Sequence, residues 1–327
     1  MAKWQYSKGL HALGNGCYAW LQPNGRWGYS NSGLVTDAGA SLLVDTLFDL
    51  AHTREMLEGY RAAIPAAASI GVVVNTHSNG DHTYGNQLVP GARIVASRIC
   101  AEEMALPFAR PEERAIILRD WERRGTMGRW LHELYGVPGD FRFDDIVYTP
   151  PTETFEHELG IKVGAKEVRL VNVGPAHTGG DVMAWVPQDR TAFTGDILFI
   201  GSHPVVWAGP VSNWIRACER ILGWDVETIV PGHGPITDKN GVRAFKTYLE
   251  FIAEAARKRY DAGLSVEDAA REIAFEAYTD WIDAERMVIN TACLYREFSG
   301  GRVNTDMESI FAWMHRLRKD LAARGRH

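Results

Sequence analysis

The sequence predicts a layered α/β fold followed by a C-terminal helical extension, and three observations carry that expectation. The apolar run Ile70-Gly-Val-Val-Val-Asn-Thr76 has the near-continuous hydrophobicity of a strand buried on both faces. Residues 51–63 before it show helical spacing, and residues 99–106 do so again after the strand-like 92–96, so strand and helix alternate along the chain. Beyond Pro235 the pattern changes to helical segments without intervening strands.

The elements follow in order. Residues 10–21, 32–35 and 41–45 are apolar runs between turn signals at Gly14, Gly16, Pro23-Asn24-Gly25 and Asp37-Ala-Gly39, and read as strands; the step from Asp37 to Ala40 marks a hairpin. Residues from about 110 to 137 place Ile116, Ile117, Trp121, Trp130, Leu131 and Leu134 among charges, the pattern of a helical insertion or lid. Strands return at 168–173, 182–186 and 191–194, a helix at 213–222 and a last strand at 228–230. Segments 242–260, 266–275 and 307–323 have helical spacing; the last puts Met307, Ile310, Phe311, Met314, Leu317 and Leu321 on one face. Ser265, with Asp268 three positions on, is an N-cap signature for the middle one. No repeat or Ser/Pro/Gly linker divides the chain. Residues 1–236 are therefore expected to form one α/β unit and residues 237–327 a helical subdomain packed on it, its apolar stripes serving the core or a homodimer face.

Composition bounds the function. With 46% hydrophobic and 23% charged positions, and 11 Trp, 11 Tyr and 12 Phe, the 327 residues can bury a large core, which excludes a disordered chain. A net charge of −6 without a Lys/Arg block argues against a nucleic-acid partner, whose phosphates would need neutralising. No window approaches the ~18 apolar residues of a membrane span, and the N-terminus has no apolar signal segment, so a cytoplasmic protein without a membrane partner is expected. Cys17, Cys100, Cys218 and Cys293 are far apart with no C-x-x-C pair, which predicts buried free thiols.

The residues that can do chemistry fall at strand exits. His77-Ser-Asn79-Gly-Asp81-His82 follows the 70–76 run, His177-Thr-Gly-Gly-Asp181 the strand at 168–173, Gly195-Asp196 the strand at 191–194, and Pro231-Gly-His233-Gly-Pro235 the last strand. Neutral imidazole with carboxylate is the donor set of zinc and other divalent first-row ions, and loops leaving rigid strands can aim such groups into one cavity. No G-x-S-x-G elbow is present, which favours direct attack by water over a serine acyl-enzyme.

In this order, H-x-N-x-D-H, then His, then G-D, then P-G-H-G-P, residues 10 to 236 resemble the metallo-β-lactamase superfamily. The resemblance implies a four-layer αβ/βα sandwich as the catalytic domain over 1–236. It implies His77, His177 and Asp196 as ligands of a first metal ion, with Asn79 where the family has a histidine, and Asp81, His82, Asp196 and His233 as ligands of a second. Asp45, at the end of the 41–45 strand, matches the family's early Asp, which orients the metal loop. One or two divalent ions are implied, zinc foremost, with iron or manganese as alternatives.

The expected function is that of a metal-dependent hydrolase, in which a metal-activated hydroxide attacks an ester, lactone, thioester or amide bond of a small hydrophobic metabolite. Asp81 is expected to pass a proton to the leaving group, and His203 to act as a proton shuttle or substrate donor. Tyr84, Phe199, Trp207 and Trp214 are expected to wall the substrate pocket, with the alternative for Trp207 and Trp214 that they are core aromatics. Asn79 motivates the competing expectation, a di-metal, iron-type redox or oxygen-using enzyme, because an amide oxygen is a weaker donor than imidazole toward zinc.

Overall fold

The computed structural model describes residues 4–23, 27–135 and 139–325. One sheet contains β1 (Gly9–Gly14), β2 (Cys17–Leu21), β3 (Ser32–Asp37), β4 (Ala40–Val44), β5 (Val72–Val74), β6 (Arg93–Ser97) and β7 (Glu153–Phe155) in sequence order. Its first four strands form an antiparallel meander; β4 to β7 run parallel. The second sheet contains β8 (Glu158–Val163), β9 (Lys166–Asn172), β10 (Val182–Val186), β11 (Thr191–Phe193) and β12 (Thr228–Val230), antiparallel except for the β11/β12 pair. The helices are α1 (Leu50–Ala63), α2 (Gly80–Thr83), α3 (Arg98–Met104), α4 (Pro111–Arg119), α5 (Gly125–Tyr135), α6 (Val211–Gly223), α7 (Lys239–Asp261), α8 (Val266–Glu276), α9 (Met287–Phe298) and α10 (Met307–Ala323).

Side-chain alternation along the strands builds the layers. Val35, Leu42, Val44, Val74 and Val95 meet Val168, Leu170, Val182, Ala184 and Phe193 between the sheets. The opposite face of the first sheet, with Leu34, Leu43, Val73 and Ile94, packs on Met56, Leu57 and Tyr60 of α1. Met183, Ala192 and Ile229 on the second sheet pack on Ala217, Cys218 and Ile221 of α6 and on Val242, Phe245 and Leu249 of α7. This is the four-layer αβ/βα sandwich. Its last core continues without a break into Ala269 and Ile273 of α8, Val288 of α9 and Met314 of α10, so the C-terminal helices share a core with the second sheet.

Several elements differ from the sequence expectation. The strand expected over 10–21 is broken by a turn at Asn15 and Gly16, both with positive φ. The strand expected over 70–76 is only Val72–Val74, because Asn75 and Thr76 turn away to bond His82 and Asp45. β8 is a half-exposed strand with a weak apolar signal. α9 escaped detection because Met287 to Tyr295 are all buried, and a helix apolar all round has no amphipathic period. The insertion forms α4 and α5; its expected end at 136–137 and the turn signal at Asn24-Gly25 lie outside the described residues. All four cysteines are buried and free.

Candidate metal centre

The site lies at the edge where β4, β5, β11 and β12 end, joined by the β9–β10 connection. Asp45 follows β4 in a left-handed conformation, φ 63°. Its buried carboxylate accepts from Thr76 N and Thr76 Oγ1, each at 2.7 Å, and faces His82 Nδ1 at 2.9 Å. One carboxylate thus fixes both the backbone leaving β5 and a ring of α2.

Each histidine of the site is held from behind by its Nδ1. His77 Nδ1 meets Thr76 Oγ1 at 3.0 Å, His177 Nδ1 donates to Val205 O at 2.6 Å, and His233 Nδ1 donates to Tyr29 O at 3.0 Å. With His82 Nδ1 on Asp45, all four Nε2 atoms are left to converge on Asp196, which is the arrangement that orients imidazoles toward a metal. Asp196 Oδ1 lies 3.1 Å from His82 Nε2; Oδ2 lies 3.2 Å from His177, 3.4 Å from His233 and 3.7 Å from His77. Asn79 Oδ1 is 2.8 Å from His177 Nε2, and Asp81 Oδ2 is 3.4 Å from His233 Nε2 and 3.9 Å from His82 Nε2.

These separations fit a shared cation. Donors ~2.1 Å from one ion lie ~3.0 to 3.4 Å apart in octahedral or tetrahedral arrangements. The Nε2 atoms of His77 and His82 and Asp196 Oδ1 are buried without a hydrogen-bond partner among the described residues, a costly state that a bound divalent ion would remove. His77, His82 and Asp196 form one group of mutually close ligand atoms, and Asp81, His82 and His233 a second. The electrostatics agree. Burial disfavours a charged His82, yet Asp196, Asp45 and Asp81 hold its pKa well above the ordinary imidazole value. Burial and the neighbouring His82 push His77 well below it. Burial opposes a charged Asp196 as well, but the four imidazoles hold it well below the usual carboxylate range.

The structure also shows one brace that the sequence did not single out, and gives Asp181 of the 177–181 run a structural part. Glu103 of α3 accepts from Ser78 Oγ at 2.8 Å and from Gly179 N at 2.9 Å, and so braces the Asn79 loop against the His177 loop. Asp181 accepts from Ala176 N, Thr178 N and Thr178 Oγ1, which closes the turn carrying His177. Removing the brace with Glu103→Ala is expected to weaken binding at the Asn79–His177 side by roughly tenfold or more. Stepwise metal titration, with an unchanged second step, is the check.

The expected pocket residues are placed differently from one another. Trp207 is half-buried and sets its ring against Trp27 at 6.4 Å. Phe199 is buried and stacks on His233 at 4.9 Å, while Trp214, fully buried, stands edge-on to His177 at 5.9 Å and donates from Nε1 to Ile197 O. Phe199 and Trp214 therefore back the histidines instead of walling the cleft. Tyr84 is buried with its hydroxyl on Ala109 O. His203 requires correction: it is fully buried, with its ring nitrogens on Tyr248 Oη at 2.9 Å and Tyr278 O at 3.3 Å. Both nitrogens are engaged in the helical core, which removes the expected proton-shuttle role.

The segment from Phe199 to Gly209 is held on two sides. Phe199 bridges to His233, Ile200 N bonds His233 O, and Trp207 N and Ala208 N bond His177 O. From the other side, His203 N bonds Ile282 O, and Asn290 takes Val206 N and donates to Pro204 O.

The family model of the metallo-beta-lactamase superfamily matches residues 25–233, from before β3 to just past β12, and includes every metal-binding candidate. The chain belongs to the metallo-beta-lactamase superfamily. Among curated relatives of this superfamily member, the 2,4-dinitroanisole O-demethylase subunit alpha of Nocardioides sp. (strain JS1661) is 22% identical over 248 residues, covering 75% of this chain and 59% of that protein. The metallo-beta-lactamase type 2 of Elizabethkingia meningoseptica is 28% identical over 111 residues, 32% of this chain and 43% of that one. The chain thus spans about half the length of the curated relatives it matches. Of solved structures, the inverting sec-alkylsulfatase Pisa1 from Pseudomonas sp. superposes with a TM-score of 0.64 at 15% identity, covering 90% of this chain and 50% of that chain. A metallo-beta-lactamase from Pontibacter korlensis gives 0.53 at 17% identity, covering 74% and 98%. These likenesses show the fold. No helix among the described residues is long and apolar enough to cross a membrane.

Proposed function

We propose that the protein is a metal-dependent hydrolase acting on an ester, lactone, thioester or amide bond of a small hydrophobic substrate, with zinc as the leading ion. The observation that supports this reading is the convergence of four back-braced imidazoles on Asp196. His77, Asn79 and His177 with Asp196 would hold one ion, and Asp81, His82 and His233 with Asp196 a second. Bound there, such ions would supply hydroxide at neutral pH and polarise a carbonyl oxygen.

The remaining chemistry belongs to the protein. Asp81 has the most exposed side chain among the imidazoles and carboxylates of the set, 15% against 8% or less for the others, so it is the one that meets water and substrate. Burial works against its charge, but His82 and His233 hold its pKa well below the usual range, so it stays ionised and accepts a hydrogen bond from the attacking water. Aromatic rings from Phe48, Tyr84, Tyr135, Phe141 and Phe143 form a buried cluster that supports the metal loop from one side. The likeness to an alkylsulfatase extends the ester class to sulfate esters.

Asn79 favours one second reading, a di-metal redox enzyme, since it departs from the all-imidazole set; the similarity to a protein named as an O-demethylase subunit is compatible with it. Protein purified without added metal should contain zinc, hydrolyse members of an aryl ester, thioester and sulfate ester panel, and consume no oxygen. Iron with oxygen uptake would overturn the hydrolase reading. Asn79→His should tighten the first site measurably in a zinc titration; an unchanged affinity would place residue 79 outside the coordination shell.

A further inference from the structure

A cation with no ion-pair partner among the described residues stands beside the metal loop. Tyr84, two residues after His82, lays its ring over Gly80, where a Cβ would come within 2.5 Å of it. Phe48 stacks on Tyr84 at 5.7 Å, and Tyr135 and Phe143 meet Phe48 edge-on at 5.1 and 4.9 Å. Into this box α4 sends Arg114, with Cζ 5.3 Å from the Phe48 centroid, 5.7 Å from Tyr135, 5.9 Å from Phe143 and 6.0 Å from Tyr84.

Arg114 makes one long hydrogen bond among the described residues, Nε to Tyr84 Oη at 3.5 Å, and no carboxylate there lies within ion-pair distance of it. Among the described residues its Nη donors and the Tyr135 hydroxyl in the same box have no hydrogen-bond partner. The charge of Asp81 acts on Arg114, Tyr84 and Tyr135 alike, so the box flanks the metal centre. Arg114 is half-buried, and cation–π contacts offset only part of the cost of holding a guanidinium there without an ion-pair partner. What remains is a planar fork of donors suited to an oxyanion, held in place by the rings behind it.

We propose that Arg114 anchors an oxyanion, carboxylate or sulfate, on a hydrophobic substrate and so sets its position against the metal centre. Tyr135 supplies a second donor to the same group. The anchor takes its place beside the reacting bond from the hydrolase reading, but its test needs no turnover.

Calorimetric titration of metal-loaded protein with benzoate, phenyl sulfate and neutral benzamide measures it. Wild type should bind at least one of the two anions about tenfold or more tighter than benzamide. Arg114→Met, which keeps the apolar stem, should lose roughly 10- to 100-fold of the anion affinity and leave benzamide within twofold; Arg114→Lys should recover part. The anion that loses more identifies the carboxylate or the sulfate as the natural group. Equal losses for benzamide and anion, no loss, or a wild type without anion preference would each overturn the anchor. Arg114-dependent anion binding in a protein that hydrolyses nothing would sink the hydrolase reading alone, whereas hydrolysis without anion preference would sink the anchor alone.

Discussion

Asp196→Ala is expected to empty both halves of the metal centre and to lower turnover by at least about a thousandfold, the equivalent of the several kcal/mol that a metal ion contributes. The physical reason is that one carboxylate serves four rings. Oδ1 faces His82 while Oδ2 faces His77, His177 and His233. Without it, four imidazoles share a buried space with no anion between them, and a divalent ion placed there loses its common charge partner. Elemental analysis of the variant should show less than one tightly bound ion per chain. Metal stoichiometry equal to wild type would refute the bridging role, whatever happened to activity.

Asp45→Ala should produce the second largest effect, and through a group that need not touch the metal. The substitution leaves Thr76 N and Thr76 Oγ1 without their acceptor and His82 Nδ1 without the partner that sets its ring. Breaking a buried, hydrogen-bonded charge network typically costs ~3–5 kcal/mol, and loss of the group behind a metal histidine typically costs 10- to 100-fold in affinity. Urea unfolding in the presence of chelator reads the first quantity, and zinc titration of the folded variant reads the second. A variant that is less stable but binds zinc as wild type does would show that Asp45 holds the fold and does not orient the ring.

The convergence of candidate ligands was legible in the sequence because they are scarce residue types at strand exits: His77, Asp81, His82, His177, Asp196 and His233 all project into one edge of the sandwich. Glu103 and Arg114 were not legible. Each sits on a helix, where one charge looks like any other until tertiary packing puts Ser78 and Gly179, or four aromatic rings, around it. Phe199 shows a different blind spot, and Trp214 resolves to the core aromatic that was one of its two readings. Sequence places an aromatic next to a ligand but not on a side of it, and both turned out to press on the histidines from the protein interior. His203 follows the same logic, since its loop position conceals a pairing with Tyr248, 45 residues away in α7. The layered fold was read from β5 and α1, whereas α9, buried on every side, carried no period to read.

The double hold on the segment from Phe199 to Gly209 has a consequence for the order in which the protein is made. Ribosomes deliver His77 to His233 before Ile282 and Asn290, yet those late residues grip the far side of the strip that frames His233 and His177. A nascent chain that has just completed β12 carries every metal-binding candidate and still lacks half of the scaffold that spaces them. It also exposes the apolar face of the second sheet that α7 to α10 will cover. Maturation of the metal centre is therefore expected late, coupled to docking of the last helices, and a chain shortened at residue 236 should be a client for chaperones and proteases instead of a smaller enzyme.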